Sequence, residues 1–153
     1  MAITTYSELK TAVGNWLHRD NLSTYIDDLI TVGEKWVFRN ARTRDMEAAL
    51  SVAISSGAAA LPADYVALKH SYIDGTPVQQ LKFRPPIWIY SQYPNRGDST
   101  KPHYVGVEGA NFIFGPWGGS SYTIKGIYYK ALDALSDSNT SNWMITDCPD
   151  LIY

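Results

Sequence analysis

Few side chains in this 153-residue chain have the types and spacing that catalysis or metal binding requires. The three histidines fall at a predicted helix end and in two predicted strands, and no HxH or HxxxH pair offers a metal two ligands from one element. They are His18, His70 and His103. We expect these to be surface or half-buried histidines, and we predict no metal site and no cofactor.

The other reactive groups also favour structural roles. Cys148 is the single cysteine, and no local signature of a thiol enzyme surrounds it, which indicates an inert thiol. The glycines at 115, 118 and 119 lack the Lys-Ser/Thr of a phosphate loop and precede a predicted strand, so they give little support to a nucleotide site. Asp27 and Asp28 are interpreted as first-turn helical residues, where the helix dipole favours carboxylates. We predict no catalytic residue, and an enzyme is the least supported class.

Two capped amphipathic helices are predicted at the start of the chain. Thr5-Tyr-Ser-Glu8 has the form of a capping box, and apolar residues follow it at helical spacing. Ser23 is expected to cap the second helix. The two apolar rows are Leu9, Ala12, Val13, Trp16 and Leu17, then Ile26, Leu29, Ile30, Gly33 and Val37.

Beyond Arg44 the hydrophobic period changes from that of a helix to two, which is typical of strands. Asp74-Gly75-Thr-Pro77 and Glu108-Gly109 are turn signals, Pro85-Pro86 begins a short helical piece, and Tyr122–Leu132 is the longest predicted strand. The order of these elements predicts an α+β fold in which an antiparallel helix pair packs with an antiparallel sheet. We expect one domain over 1–153, with the helix pair at 1–44, the sheet at 47–132 and a polar loop leading into a C-terminal helix at 133–153.

The end of the chain predicts a helix that is cut short. Pro149 suits a first turn, with Cys148 or Asp147 as its cap, and the remaining residues complete only that turn. A single turn has no propagation to offset its nucleation. We therefore favour a truncated C-terminal helical segment over a short apolar tail that packs on the core.

Several stretches resemble the head-to-tail adaptor proteins of tailed bacteriophages. These are Thr4–Leu17, Ile26–Glu47, Leu61–Val66, Ser71–Pro77, Asn142-Trp143 and Pro149–Leu151. The resemblance implies a structural virion protein in the neck, made in the host cytoplasm. It further implies a closed ring of about twelve copies that joins the portal to the tail tube or nozzle and surrounds the DNA channel.

Three groups of residues are candidate contacts in such an assembly. The second helix carries apolar residues, Trp36 among them, over an arc of roughly 160°, which a missing helix, the sheet or a neighbouring subunit would cover. Phe38 falls on the polar side and is the likelier intersubunit contact. Arg39, Arg42 and Arg44 complement the helix C-terminus and are also candidates for salt bridges between subunits. Of the loop tryptophans, Trp88 is expected to fill the core and Trp117 to lie at an interface, because Gly118-Gly119 offers it little cover.

The net charge of −2 and the pI near 5.8 give no electrostatic footprint of nucleic-acid binding. Near-neutral charge suits a conduit through which DNA slides without sequence-specific binding, since strong phosphate contacts would hold it. The single cysteine and the lack of a signal peptide or long apolar run predict folding in a reducing cytosol and no membrane association. The alternatives are another neck or tail completion protein, or a small carbohydrate- or receptor-binding module that uses Trp117.

Overall fold

The computed structural model describes residues 3–18, 22–97 and 100–148. It contains both helices and antiparallel sheets, which confirms the predicted α+β class. The chain divides into two compact units: unit 1 combines 1–46 with 131–153, and unit 2 comprises 47–130. The central part of the sequence is therefore inserted between the two ends that build unit 1.

Unit 1 begins with two helices, α1 at Tyr6–Leu17 and α2 at Ser23–Asn40. The capping box of α1 is confirmed, because the Glu8 amide donates to the Thr5 hydroxyl at 3.3 Å and the Glu8 carboxylate accepts from the Thr5 amide at 3.0 Å. The predicted cap of α2 is wrong. Ser23 is already helical, and Leu22 occupies the capping position without a side-chain hydrogen bond.

The predicted dipole role of Asp27 and Asp28 is also wrong, since the first turn of α2 contains no acidic residue. Asp27 links the two helices instead. It accepts a hydrogen bond from the Tyr6 hydroxyl at 2.9 Å and lies 3.5 Å from the Lys10 ammonium. Burial and this bond raise the pKa of Tyr6 to about 12.

The C-terminal part of unit 1 ends in the short helix α4, Trp143–Asp147, which Asn142 caps by accepting from the Ile145 amide at 3.3 Å. Cys148 is the C-terminal capping residue of α4. The helix predicted to start at Pro149 lies outside the described residues. The core of unit 1 joins the helix pair to this segment and consists of Tyr6, Leu9, Ile26, Ile30, Leu135 and Ile145.

Unit 2 contains two four-stranded sheets. The strands in chain order are β1 Glu47–Ala53, β2 Ala58–Ala60, β3 Tyr65–Ile73, β4 Gln79–Gln80, β5 Lys82–Phe83, β6 Tyr104–Glu108, β7 Asn111–Gly115 and β8 Thr123–Lys130. One sheet has the order β1-β8-β3-β4, and the other has β2-β7-β6-β5. All pairs are antiparallel except β5 with β6. The core lies among residues of both sheets, with Phe112, Ile73, Ile124 and Val105 fully buried.

The alternation of 79–83 predicts one strand, but the structure divides it at Leu81 between the two sheets. Leu81 is buried in the core, and its amide donates to the Ser71 carbonyl at 3.0 Å. The short helix predicted after Pro85 is confirmed as α3, Pro86–Gln92. The hairpin predicted at Glu108-Gly109 is confirmed as the turn between β6 and β7, where Gly109 adopts a φ of 58°.

Candidate interaction surface

The outstanding surface feature of unit 1 is a row of exposed apolar side chains on α2, which we name the α2 stripe. It consists of Tyr25, Leu29, Val32 and Trp36, whose exposed fractions are 60%, 51%, 65% and 64%. Their spacing of four, three and four residues places them on one side of the helix. Large apolar side chains arranged in a continuous row and exposed to this degree mark an interaction surface.

The other half of the predicted apolar arc faces the interior of unit 1. Ile26, Ile30 and Val37 are buried, and Gly33 is half-buried. The arc is thus divided along its length: one half completes the core, and the α2 stripe remains in solvent. The sequence identified the arc but could not show where this division falls.

From the helical positions Glu34 lies with Phe38 on the polar side of α2, yet it is not solvated, because only 1% of this residue is exposed. Its carboxylate accepts hydrogen bonds from the Leu135 amide at 3.1 and 3.2 Å and from the Asn142 side-chain amide at 3.0 Å. Burial raises its pKa, while these two donors act in the opposite direction. The side of α2 opposite the stripe therefore binds the C-terminal segment.

Phe38 and the three arginines lie at the end of α2 and just beyond it. Phe38 is half-buried, and Arg39, Arg42 and Arg44 are exposed. Arg42 caps the helix, since its guanidinium donates to the carbonyls of Phe38 at 2.7 Å and Ala41 at 2.8 Å. Within the described ranges none of the three arginines pairs with a carboxylate. Arg42 thus has a structural role, and the cations of Arg39 and Arg44 are available for contacts.

The loop tryptophans belong to unit 2. Trp117 is half-buried against Gly57, where an added Cβ would overlap its ring, and the Arg96 guanidinium lies 5.0 Å from the ring centroid. The expectation that Trp117 lacks packing cover is therefore wrong, because the cover comes from a distant turn. Trp88 is half-buried and contacts Tyr104 edge to face at 4.8 Å between ring centroids.

The groups that could have carried other chemistry are dispersed. His18 ends α1 in a left-handed conformation, and His70 and His103 are exposed. Cys148 is a half-buried free thiol. No cluster of His, Cys, Asp and Glu suited to a metal occurs among the residues that the structure describes. In the same part of the chain, no helix is long and apolar enough to cross a membrane.

An exposed apolar helical face on a small α+β scaffold is typical of proteins that bind other proteins through it. The chain belongs to the SU10 adaptor protein family, whose model matches residues 4–153. The resemblance to phage head-to-tail adaptors is thereby confirmed over nearly the whole chain. Comparison with curated proteins gave no significant match.

Proposed function

We propose that this protein forms a closed ring of about twelve copies in the virion neck and joins the portal to the tail tube or nozzle. Membership of the adaptor family supports a virion component that contacts head and tail proteins. The observation that carries the proposal is the α2 stripe, because a subunit designed to remain alone would not leave four large apolar side chains in water.

Burial of the α2 stripe between protein subunits would drive this assembly. Full burial of a large apolar side chain contributes about 1.5–3 kcal/mol, and each stripe residue has roughly half of that still to gain. The four residues together thus offer about 3–6 kcal/mol per copy before the cost of association. In a ring every copy gains this contact, since each subunit has a neighbour on both sides.

The charge of the chain supports a passive channel. A net charge of −2 provides no excess of cations to hold phosphate, so that DNA can pass without being trapped. The exposed Arg39 and Arg44 are proposed to pair with carboxylates of neighbouring subunits. Phe38 and Trp117 remain proposed interface residues, each with part of its surface still to bury.

The decisive experiment mixes the purified chain with the portal protein of the same phage and examines the mixture by electron microscopy. We expect a ring of adaptor density on one face of the portal. Trp36→Ala should abolish that ring and lower the free energy of unfolding of the free chain by less than 1 kcal/mol, because Trp36 is already 64% exposed. Ile87→Ala, which removes an exposed apolar side chain from α3, is the matched control and should leave ring formation intact.

Binding to an isolated tail completion complex but not to the portal would contradict the proposed position and assign the chain to another part of the neck. The carbohydrate-binding alternative is not favoured, since one face of the Trp117 ring is occupied by Gly57. A uniformly monomeric chain that ignores the portal would overturn the ring.

A further inference from the structure

Charged residues follow one edge of the α2 stripe in a definite order. At 100° per residue, Asp28, Lys35 and Arg39 lie within about 90° of the centre of the stripe and on the same side of it. All three are exposed, and none of them forms an ion pair within the described residues. The acidic residue lies in the first half of the helix, and the two basic residues lie in the second half.

We propose that two copies of the free chain cover each other's α2 stripes. In this pair, α2 of one copy packs against α2 of the other in the antiparallel direction. A two-fold axis between positions 30 and 31 would place Tyr25 against Trp36 of the second copy and Leu29 against Val32 of the second copy. The spacing of four, three and four residues is that of the a and d positions of a coiled coil, so the side chains can interdigitate. The occupant of the stripe in the free protein is thus a second copy of this chain.

The order of charges selects the direction of pairing. Because antiparallel helices related by a two-fold axis bring the same edge together, Asp28 would lie only about 3 Å along the axis from Lys35 of the second copy, and this contact occurs twice. A parallel pair would instead put these edges on opposite sides of the interface, so that Asp28 and Lys35 would have no opposite charge to meet. Antiparallel alignment also opposes the two helix dipoles.

This inference goes beyond the proposed ring, since it concerns the protein before assembly. The stripe spans about 16 Å of helix, so that the pair has a small interface and a modest affinity. The portal or a ring neighbour can therefore displace the second copy. Pairing keeps the apolar surface out of water until that partner is present.

The test measures the mass of the full-length chain by light scattering after size exclusion over a wide range of concentrations. We expect a monomer–dimer equilibrium. Asp28→Lys and Lys35→Glu, taken separately, should each raise the dissociation constant about tenfold, because two attractive pairs become two repulsive ones. The double variant should recover dimerisation. An equimolar mixture of the two single variants should also recover it, since every pair is then of opposite charge.

Lys82→Glu, which reverses an exposed cation in β5, is the matched control and should leave the equilibrium unchanged. Trp36→Ala should raise the dissociation constant about thirtyfold or more, because the contact of this large aromatic side chain with Tyr25 of the second copy occurs twice in the pair. A chain that is monomeric at all concentrations would overturn the antiparallel pair without affecting the proposed adaptor ring. A chain that forms rings spontaneously, or a dimer that is insensitive to both charge reversals, would overturn it as well.

Discussion

Removal of the Glu34 carboxylate should loosen the C-terminal segment from the helix pair. In Glu34→Ala the Leu135 amide loses the carboxylate that accepts its hydrogen bond. Leu135 is only 4% exposed, so this amide stays out of water without an acceptor, which costs about 1–3 kcal/mol. The Asn142 amide is half-buried and can turn to water, so its loss adds little. Relief from burying a charge offsets part of the cost. We expect a net loss of about 2 kcal/mol in the free energy of unfolding.

Glu34→Gln should cost less, since its carbonyl oxygen can accept from both donors, and its cost should depend on pH. The pKa of Glu34 is raised in the folded state, so that the proton is bound more tightly there than in the unfolded chain. The contribution of Glu34 to the free energy of unfolding is therefore complete at low pH, and it falls as the pH rises through the folded-state pKa. Glutamine does not titrate, so the difference between the two proteins should be smaller at a pH well above the ordinary glutamate pKa of 4.5 than at a pH below it.

Urea unfolding of the wild type and both variants at these two pH values measures each quantity, and amide hydrogen exchange at Leu135 reports the local effect. Asp45→Asn, which alters an exposed carboxylate elsewhere in unit 1, is the control and should change stability by less than about 0.5 kcal/mol. If Glu34→Ala lowers the free energy of unfolding no more than the control does, the Glu34 carboxylate does not hold the C-terminal segment on α2. A gap between wild type and Glu34→Gln that widens with pH would refute the sign of the pKa shift.

Four other substitutions have definite expected outcomes. Gly126→Ala should lower the free energy of unfolding in urea by several kcal/mol, because the added Cβ would overlap the His70 carbonyl oxygen of the adjacent strand. Gly33→Ala should instead stabilise α2 by about 0.5–1 kcal/mol, since no neighbouring atom lies within 4 Å of the position of its Cβ. Tyr6→Phe should lose about 1 kcal/mol at neutral pH, and this loss should disappear as the pH rises from 10.0 to about 12, where the wild-type tyrosine ionises. Arg42→Ala should lower the thermal midpoint, because about 0.5–1 kcal/mol of helix capping is removed.

For Gly126, Gly33 and Tyr6 the contradicting results are specific. A tolerated Gly126→Ala would mean that β3 and β8 separate easily at this point. A Gly33→Ala variant that destabilises would indicate packing that the structure does not contain. A tyrosine titration followed by ultraviolet absorbance that lacks a late component would contradict the burial of Tyr6.

Features set by neighbouring residues were predicted well from the sequence. The capping box at Thr5, α3 after Pro85 and the turn at Gly109 depend on short-range chemistry, and the structure confirms them. Apart from the cap of α2 at Ser23, which is a local feature, the errors arose where distant segments decide the structure. Leu81 divides a predicted strand because its side chain enters the core and its amide bonds to β3.

The candidate site shows the same limit. The apolar arc of α2 was visible in the sequence, but which half stays in solvent depends on residues 131–148, about a hundred positions away. Glu34 was missed for the same reason, since a glutamate on the far side of an apolar arc reads as solvated unless its donors are known.

The insertion of unit 2 has a consequence for how the polypeptide is made and exchanged. On the ribosome, the first 46 residues cannot complete their hydrophobic core until Leu135 and Ile145 have been synthesised. Residues 47–130, in contrast, contain all the buried residues of the unit 2 core. Both ends of unit 2 are adjacent, because Glu47 lies opposite Tyr129 in the β1–β8 ladder. A different β-domain whose termini are adjacent could therefore replace 47–130 and still connect to residues 46 and 131. Recombination could in this way exchange unit 2 as a whole.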